Sequence, residues 1–578
     1  MTIITRFNGS GPAGDAGILS RRRIIAKAGF NRWLVPSAAL AIHLCIGMAY
    51  GFSVFWLPLQ TALSRAAGTA VATCAGNAGT FGLKLQGTLH ALTATDCEWT
   101  QFDLGWMFTL FFVLLGTSAA IWGGWLEKAG PRKAGVVAAF CWCGGMVFSA
   151  AGVYLHQLWM LWLGSGVIGG IGLGLGYISP VSTLIKWFPD RRGMATGMAI
   201  MGFGGGALIG SPLAALLING FQAQIPLVGA YAFAGFKTAT TAGVWETFLT
   251  LAAIYFVFML GGAFGYRLPP ALWKPRGWVP KHNGSSMITH RHVHLKDAHK
   301  TLAFWMIWLV LCMNVSAGIG IIGAASPMLQ ETFGGQLFGD ASVGFAGFNA
   351  DQVKRAAAVG AAFVGLFSLF NIAGRFFWAS LSDVFGRKAT YFAFFVLGFA
   401  SYMAAPTLSA WGDLAIFATA FCLIASMYGG GFSTVPAYLA DIFGTQFVGA
   451  IHGRLLTAWS TAGIIGPVVV NYLHDTRKAE GVPANLIYEQ IFYVLAGMLV
   501  IGFVANLLVR PVPERFYMSE EEVAALHVAD PEPASLATQG IGRGSLFSPV
   551  VVLAWAVVGI PLAWGVWITL QKALVLFM

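Results

Sequence analysis

Thirteen apolar stretches, each of about 20 residues or more, run through this chain of 578 residues. They fall near 33–60, 101–126, 134–154, 157–185, 194–219, 244–268, 303–329, 355–382, 389–408, 412–438, 452–473, 487–510 and 547–572. A bilayer's hydrocarbon core is about 30 Å thick, and an α-helix needs about 20 residues to cross it. In lipid every backbone N–H and C=O must find a partner, which leaves helices or a closed barrel. These runs are far too long for barrel strands, so each reads as a spanning helix. Only 10% of the residues are charged, where soluble globular proteins carry about 25%. The expected fold class is therefore an all-α membrane protein.

The net charge of +11 does not point to nucleic acid, because the basic residues sit in short clusters between apolar runs and form no solvated basic face. Their distribution sets topology instead. With the N-terminus cytoplasmic, 25 of the 34 Lys and Arg residues fall on the cytoplasmic side and eight on the other. That asymmetry follows the positive-inside rule. Met578 is then expected outside. The first 32 residues are polar and basic and are followed by an apolar run too long for a signal peptide.

The remaining basic residue is Arg375, inside the eighth apolar run. Asp383 follows eight residues later, about 12 Å along a helix. A guanidinium keeps its charge and offers a planar fork suited to a carboxylate. At membrane depth an ionisable group faces a cavity by default and works there. Asn371 lies one turn before Arg375 on the same face, and being neutral it cannot carry a proton. His43, seven residues before Tyr50 on one face of the first helix, is the other titratable group at depth. It reads either as a packing histidine or as a proton site.

The chain also repeats itself weakly. GGWLEKAGPRK (Gly123 to Lys133) follows the second helix, and ASLSDVFGRK (Ala379 to Lys388) follows the eighth. Each places an acid, a turn glycine and a basic pair at matching positions, as internal repeats of transporters do. Gly123, Glu127, Lys128, Arg132, Asp383, Arg387 and Lys388 are expected to latch the two halves together through pairs of acids and bases.

These two motifs resemble the signature of the major facilitator superfamily, with Glu127 for the aspartate in the first copy and Ala379 for the leading glycine in the second. The stretches NRW (Asn31 to Trp33), KWFPDRRGMATG (Lys186 to Gly197), FNIAGRFFW (Phe370 to Trp378) and DIFGT (Asp441 to Thr445) resemble the oxalate/formate antiporter family within it. The resemblance implies twelve helices in two six-helix bundles, with the thirteenth added at the C-terminus. It implies that Arg375 is the carboxylate-binding cation. It places Trp459 where the oxalate carriers have a lysine, so one cation remains and a monoanion is the expected cargo. It also implies an aromatic cage of Tyr50, Tyr177, Phe203, Tyr428 and Phe432, which excludes water and supplies hydroxyl donors.

The expected organisation is a cytoplasmic segment 1–32, a first bundle 33–268 with a long outer loop 61–100, and a central cytoplasmic loop 269–302. A second bundle 303–510, a linker 511–546 and the extra helix in 547–578 follow. The partner of that last helix is not apparent from its residues. Cys74 and Cys97 share the outer loop, and a disulfide between them would be worth roughly 3 kcal/mol in the chain-entropy model. GSGVIG (Gly164 to Gly169) matches a dinucleotide motif but lies inside an apolar helix, so helix packing explains it. The four histidines of THRHVHLKDAHK (Thr289 to Lys300) lack a cysteine or carboxylate set that would complete a metal site. No metal, cofactor or enzymatic constellation is expected. The reading is a carrier of small organic carboxylates in the cell (inner) membrane, most simply monocarboxylates of the formate, pyruvate or lactate type. A dicarboxylate exchanger, or a membrane sensor or scaffold that binds a carboxylate without moving it, are the alternatives.

Overall fold

The computed structural model describes residues 17–574 apart from 61, 68–70, 75–80, 225–231, 234–235, 238–242, 271–272, 276–286, 340–349, 528–540 and 542–543. Of the segments expected above, 1–16 and residues 528–540 and 542–543 of the linker lie outside the described residues. Thirteen helices are long and apolar enough to span: α1 Leu34–Phe52, α2 Asp103–Ala129, α3 Pro131–Tyr154, α4 Leu158–Trp187, α5 Arg192–Ile218, α6 Val244–Gly265, α7 Leu302–Ser326, α8 Phe363–Phe385, α9 Arg387–Trp411, α10 Leu414–Phe443, α11 Val448–His474, α12 Glu489–Leu508 and α13 Pro549–Gln571. The described sheet structure is one antiparallel pairing of Ala232–Phe233 with Phe236–Lys237.

Local chemistry sets the helix ends. Thr100 and Asp103 form a reciprocal capping box at the start of α2. The side chains of Thr301 and Asp413 accept from Phe304 N and Ile416 N at the starts of α7 and α10. The turns after α2 and α8 both use a glycine at φ +87°, Gly130 and Gly386, a conformation other residues adopt only with strain. The two sequence repeats are therefore also a repeat of backbone. The eleventh helix begins at Val448, four residues earlier than its apolar run, because His452 and Arg454 interrupt the apolar pattern there.

Helices α1 to α6 pack among themselves, as do α7 to α12, giving the two six-helix bundles. The bundles meet along two equivalent seams, α2 with α11 and α5 with α8. Both seams are lined by glycine. An added Cβ at Gly123 of α2 would lie 2.9 Å from Ala450 Cα of α11, and one at Gly197 of α5 would lie 2.8 Å from Arg375 O of α8. Within the second bundle, α8 and α10 cross closely at Gly374, whose Cβ would meet the Ser426 carbonyl carbon at 2.6 Å. The GSGVIG stretch lies within a π-helical part of α4 and packs its glycines on Gly145 of α3.

The outer loop is joined by a disulfide between Cys74 and Cys97. It is held to the α3–α4 turn by His156, which stacks on Trp99 at 4.2 Å and bonds Cys97 O through Nε2 at 3.0 Å. Because the disulfide uses both cysteines, the Cys74, His90, Cys97 group has no thiolates left for a metal. The histidine-rich stretch does not converge on one point. It lies along the end of α10 through Thr289 N to Asp441 O and Val293 N to Phe443 O.

Helix α13 is seated on the body, across the α5–α8 seam. Trp555 Nε1 donates to Trp33 O, Asn31 Nδ2 donates to Ser545 O, and Val558 packs with Leu40 and Ala41 of α1. Gly565 lies against Leu208 of α5, and Thr569 against Gly365 of α8. It therefore touches both bundles while leaving most of its surface to lipid.

Close glycine packing predicts a position-dependent penalty. Gly374→Ala overpacks the α8–α10 crossing and is expected to destabilise by about 1–3 kcal/mol, read as a lower apparent Tm in detergent. Gly559→Ala, at a position with open space around it, is expected to leave Tm unchanged.

Candidate functional site

Arg375 is fully buried, at 0% exposure. Its Nε donates to Asn371 Oδ1 at 2.9 Å, and Nη1 donates across the seam to Ile200 O of α5 at 3.2 Å. Room for the guanidinium comes from Gly204, where a Cβ would sit 3.1 Å from Nε. The charge lies over two rings, Phe203 at 5.8 Å and Phe432 at 5.5 Å. Nη2 has no partner, and no carboxylate pairs with the guanidinium, among the described residues. Two neutral acceptors cannot replace a counter-ion, and an uncompensated buried charge is costly.

Trp459 occupies the middle of an aromatic cluster that draws on both bundles. Its ring lies 4.2 Å from Phe432, 5.4 Å from Tyr177, 5.5 Å from Phe203, 5.5 Å from Phe112 and 6.4 Å from Tyr50. Tyr50 and Tyr428 meet hydroxyl to hydroxyl across the bundles at 3.3 Å. The structure thus gathers all eight residues named from the sequence, Arg375, Asn371, Tyr50, Tyr177, Phe203, Tyr428, Phe432 and Trp459, around one point. Tyr177 Oη and Trp459 Nε1 are buried donors without partners among the described residues, like Arg375 Nη2. Such groups are costly to leave unsatisfied, and three of them on one cluster of packed side chains suit a small anion with several acceptor atoms.

Sequence reasoning missed one member of the cluster and one neighbour that lies outside its wall. Phe112 of α2 completes the wall, and nothing distinguishes it within FTLFFVLLG. His452 of α11 lies fully buried 5.9 Å from the Tyr177 ring, with both ring nitrogens unpartnered among the described residues. Its signal was present as the one titratable group beside Arg454 where the apolar run begins. His43 is placed differently. Its Nδ1 faces Ala199 O and its Nε2 faces Tyr177 O at 3.2 Å, so it ties α1 to α4 and α5.

The family model described as Major Facilitator Superfamily matches residues 39–350 and 350–578. The chain belongs to the major facilitator superfamily. Among the superfamily's members it is 25% identical to the oxalate:formate antiporter of Oxalobacter formigenes over 422 residues, covering 72% of this chain and 86% of that one. It is 27% identical to the apicoplast pyruvate carrier 1 of Toxoplasma gondii over 335 residues, 52% of this chain and 57% of the carrier. Human monocarboxylate transporter 11 matches at 28% over 130 residues, 22% of this chain and 27% of the transporter. Two solved superfamily structures share the fold. The transporter FucP in its outward conformation superposes with a TM-score of 0.52 at 14% identity, covering 83% of this chain and all of FucP. The proton:xylose symporter XylE superposes with a TM-score of 0.52 at 14% identity, covering 85% of this chain and 98% of XylE.

The superfamily motifs lie on the face of the molecule that carries most of the basic residues, and only some of their acids and bases reach across to the other bundle. Asp383 does bind Arg387, Oδ1 to Nη2, at 2.6 Å. It also accepts Gly193 N at 2.8 Å and Met194 N at 2.9 Å, the free N–H groups at the start of α5 in the other bundle. Arg387 bonds Asp441 at 3.0 Å, and Asp441 receives Arg192 of the first bundle at 2.8 Å. In the first copy, Glu127 pairs with Lys186 at 2.6 Å and accepts from Ser182 at 3.0 Å, not from Lys128. Its Oε1 lies beside Gly449 at the start of α11, the counterpart of Asp383 beside Gly193. Arg132 and Lys388 do not cross between bundles. Arg132 donates to Ile18 O at 3.0 Å and Phe264 O at 3.3 Å, and Lys388 donates to Leu507 O at 3.0 Å and Val509 O at 2.8 Å. The physical reason is the same in both: the last carbonyls of α6 and α12 lack helical partners and attract a nearby cation.

In the second copy Asp383, not the basic pair, therefore makes the contact between bundles. Asp383→Asn is expected to free that face to open. Thr196→Cys reports it, because Thr196 is buried on the seam with its hydroxyl donated to Ser433 O at 2.6 Å. Labelling of that cysteine by a membrane-impermeant maleimide should speed up roughly tenfold when Asp383→Asn is added, the equivalent of about one charge-assisted hydrogen bond. An unchanged rate would show that Asp383 does not hold the seam.

Proposed function

We propose that the chain is a secondary transporter of small organic carboxylates, most simply monocarboxylates such as pyruvate, lactate or formate. The observation that carries this reading is Arg375: a permanent cation, fully buried between the bundles, with an open donor and no carboxylate to pair with among the described residues. The cargo supplies the missing charge. Its carboxylate meets Arg375 Nη2, while Tyr177 Oη and Trp459 Nε1 are the nearby donors for its remaining oxygens. The aromatic walls keep water out and strengthen the ion pair. A single fixed cation matches a single negative charge. The second carboxylate of a dianion would face rings and hydroxyls, a costly place for a bare charge.

Transport follows by rocking residues 33–268 against 303–510, with 269–302 and 511–546 as connectors. One face opens when the Asp383, Asp441 and Glu127 contacts part. The other opens when Tyr50 leaves Tyr428 and Ser460 Oγ leaves Phe112 O, now 2.7 Å apart. The basic face is the cytoplasmic one by its charge, and the disulfide then lies outside, as suits the inner membrane of a bacterium. Similarity to the oxalate:formate antiporter keeps dicarboxylate exchange as the second reading.

The test is counterflow in proteoliposomes. Wild type should exchange radiolabelled pyruvate and should not exchange the neutral amide of the same acid. Arg375→Ala should lose at least about 100-fold in rate, the scale of leaving an anion unpaired in a dry site, and Arg375→Lys should fall between. Exchange by Arg375→Ala at the wild-type rate would remove the site from consideration. Competition by oxalate stronger than by lactate would favour the second reading, and binding without counterflow would favour a sensor.

A further inference from the structure

The central site leaves one buried titratable group unused. His452 is 0% exposed, and neither of its ring nitrogens has a hydrogen-bond partner among the described residues. A neutral imidazole always carries one N–H and one lone pair, so both a donor and an acceptor are unsatisfied here. The ring is not remote from the anion site. It lies seven residues before Trp459, two turns along the same face of α11. It touches the Tyr177 ring at 5.9 Å, and that ring is 5.4 Å from both Trp459 and Phe203, over which Arg375 lies.

We infer that His452 binds the proton that crosses the membrane with the anion. The inference rests on Arg375 as the anion's partner. The elements packed against this part of α11 present His43 from α1, Glu127 from α2, Tyr177 from α4, Asp441 from α10, and Lys296 and Asp297 from the short helix Leu295–Ala298. Glu127 is engaged by Lys186, Asp441 by Arg192 and Arg387, and Asp297 by Lys300. None of these acids is left to fix a proton on His452 permanently. His43 lies across the same Tyr177 ring at 5.3 Å, but both of its nitrogens face backbone carbonyls, acceptors that would hold an added proton in place and not pass it on. No acceptor holds a proton on His452 in this way among the described residues.

Charge couples the two sites. With Arg375 unpaired, a proton on His452 would add a second buried cation to the same cluster. An anion on Arg375 relieves that repulsion, so anion binding favours protonation and protonation favours anion binding to the same degree. The step is a proton moving from water onto an imidazole lone pair and leaving the same nitrogen on the other side, with no other bond made or broken. One monoanion and one proton together move no net charge.

The test uses the full chain in proteoliposomes with pyruvate as the probe, corrected for protein-free vesicles. Wild type should accumulate pyruvate several-fold when the outside is made acidic. A pyranine signal should show about one proton entering per anion, and a potassium–valinomycin potential should leave accumulation unchanged. His452→Gln should keep pyruvate counterflow within about threefold of wild type while losing accumulation and proton entry, and His452→Asn should do the same if the glutamine variant folds poorly. Wild-type counterflow with no accompanying proton movement overturns the inference and leaves the Arg375 reading standing. So does accumulation that persists in a folded His452 variant, or loss of counterflow along with accumulation, which would make His452 a contact to the cargo. Absence of wild-type counterflow with any carboxylate overturns the Arg375 reading itself, and this inference with it.

Discussion

A guanidinium at membrane depth without a carboxylate of its own imposes conditions on everything around it. Arg375 is held by Asn371 from its own helix and by the Ile200 carbonyl from the opposite bundle, and its charge spreads over Phe203 and Phe432. The Ile200 and Phe203 contacts require α8 and α5 to approach closely, and Gly197 and Gly204 are what permit it. The α8–α10 crossing at Gly374 brings Phe432 into range in turn. The glycine-lined seams and the cation are thus parts of one arrangement. Helices that approached less closely would leave the guanidinium with fewer partners and a larger cavity to hydrate.

The same arrangement is built twice. Asp383 accepts the free N–H groups at the N-terminus of α5 in the opposite bundle, and Glu127, bonded to Lys186 and Ser182 of its own bundle, sits beside Gly449 at the N-terminus of α11. Contacts of this kind are strong while dry and are exchanged readily for water once the face opens. That suits a closure which must be broken in every cycle. The opposite face uses softer contacts, a pair of tyrosine hydroxyls and a serine on a carbonyl. Helix α13 lies across the α5–α8 seam, so any rocking motion must carry it with one bundle or let it slide on the other.

Much of this is legible in the sequence, for physical reasons. Helix number follows from hydrophobic run length, because lipid leaves the backbone no alternative. Arg375 stands out because a charge in an oily run has few explanations. Glu127 and Asp383 stand out because the motif recurs, but their partners do not. Lys186 lies 59 residues from Glu127, and the α5 N–H groups carry no side-chain signature at all. The partners of Arg132 and Lys388 are hidden for a related reason: backbone carbonyls at helix ends are invisible in a sequence. Phe112 is lost among ordinary packing residues, and His452 is hidden because it is the first residue of its apolar run, where a polar side chain reads as a helix end and not as a group at depth. The seat of α13 depends on small residues, Gly205, Gly365 and Gly565, in a chain with 74 glycines.

The central claim is that the buried cation takes its counter-ion from the cargo. Thermal stabilisation of the purified protein measures this directly, because a ligand that binds only the folded state raises its Tm. Pyruvate, lactate or formate should raise the Tm of wild type in a saturable way, with no shift from the corresponding amides and none for any of them with Arg375→Gln. Equal stabilisation by acid and amide, or a full shift retained in Arg375→Gln, would contradict it.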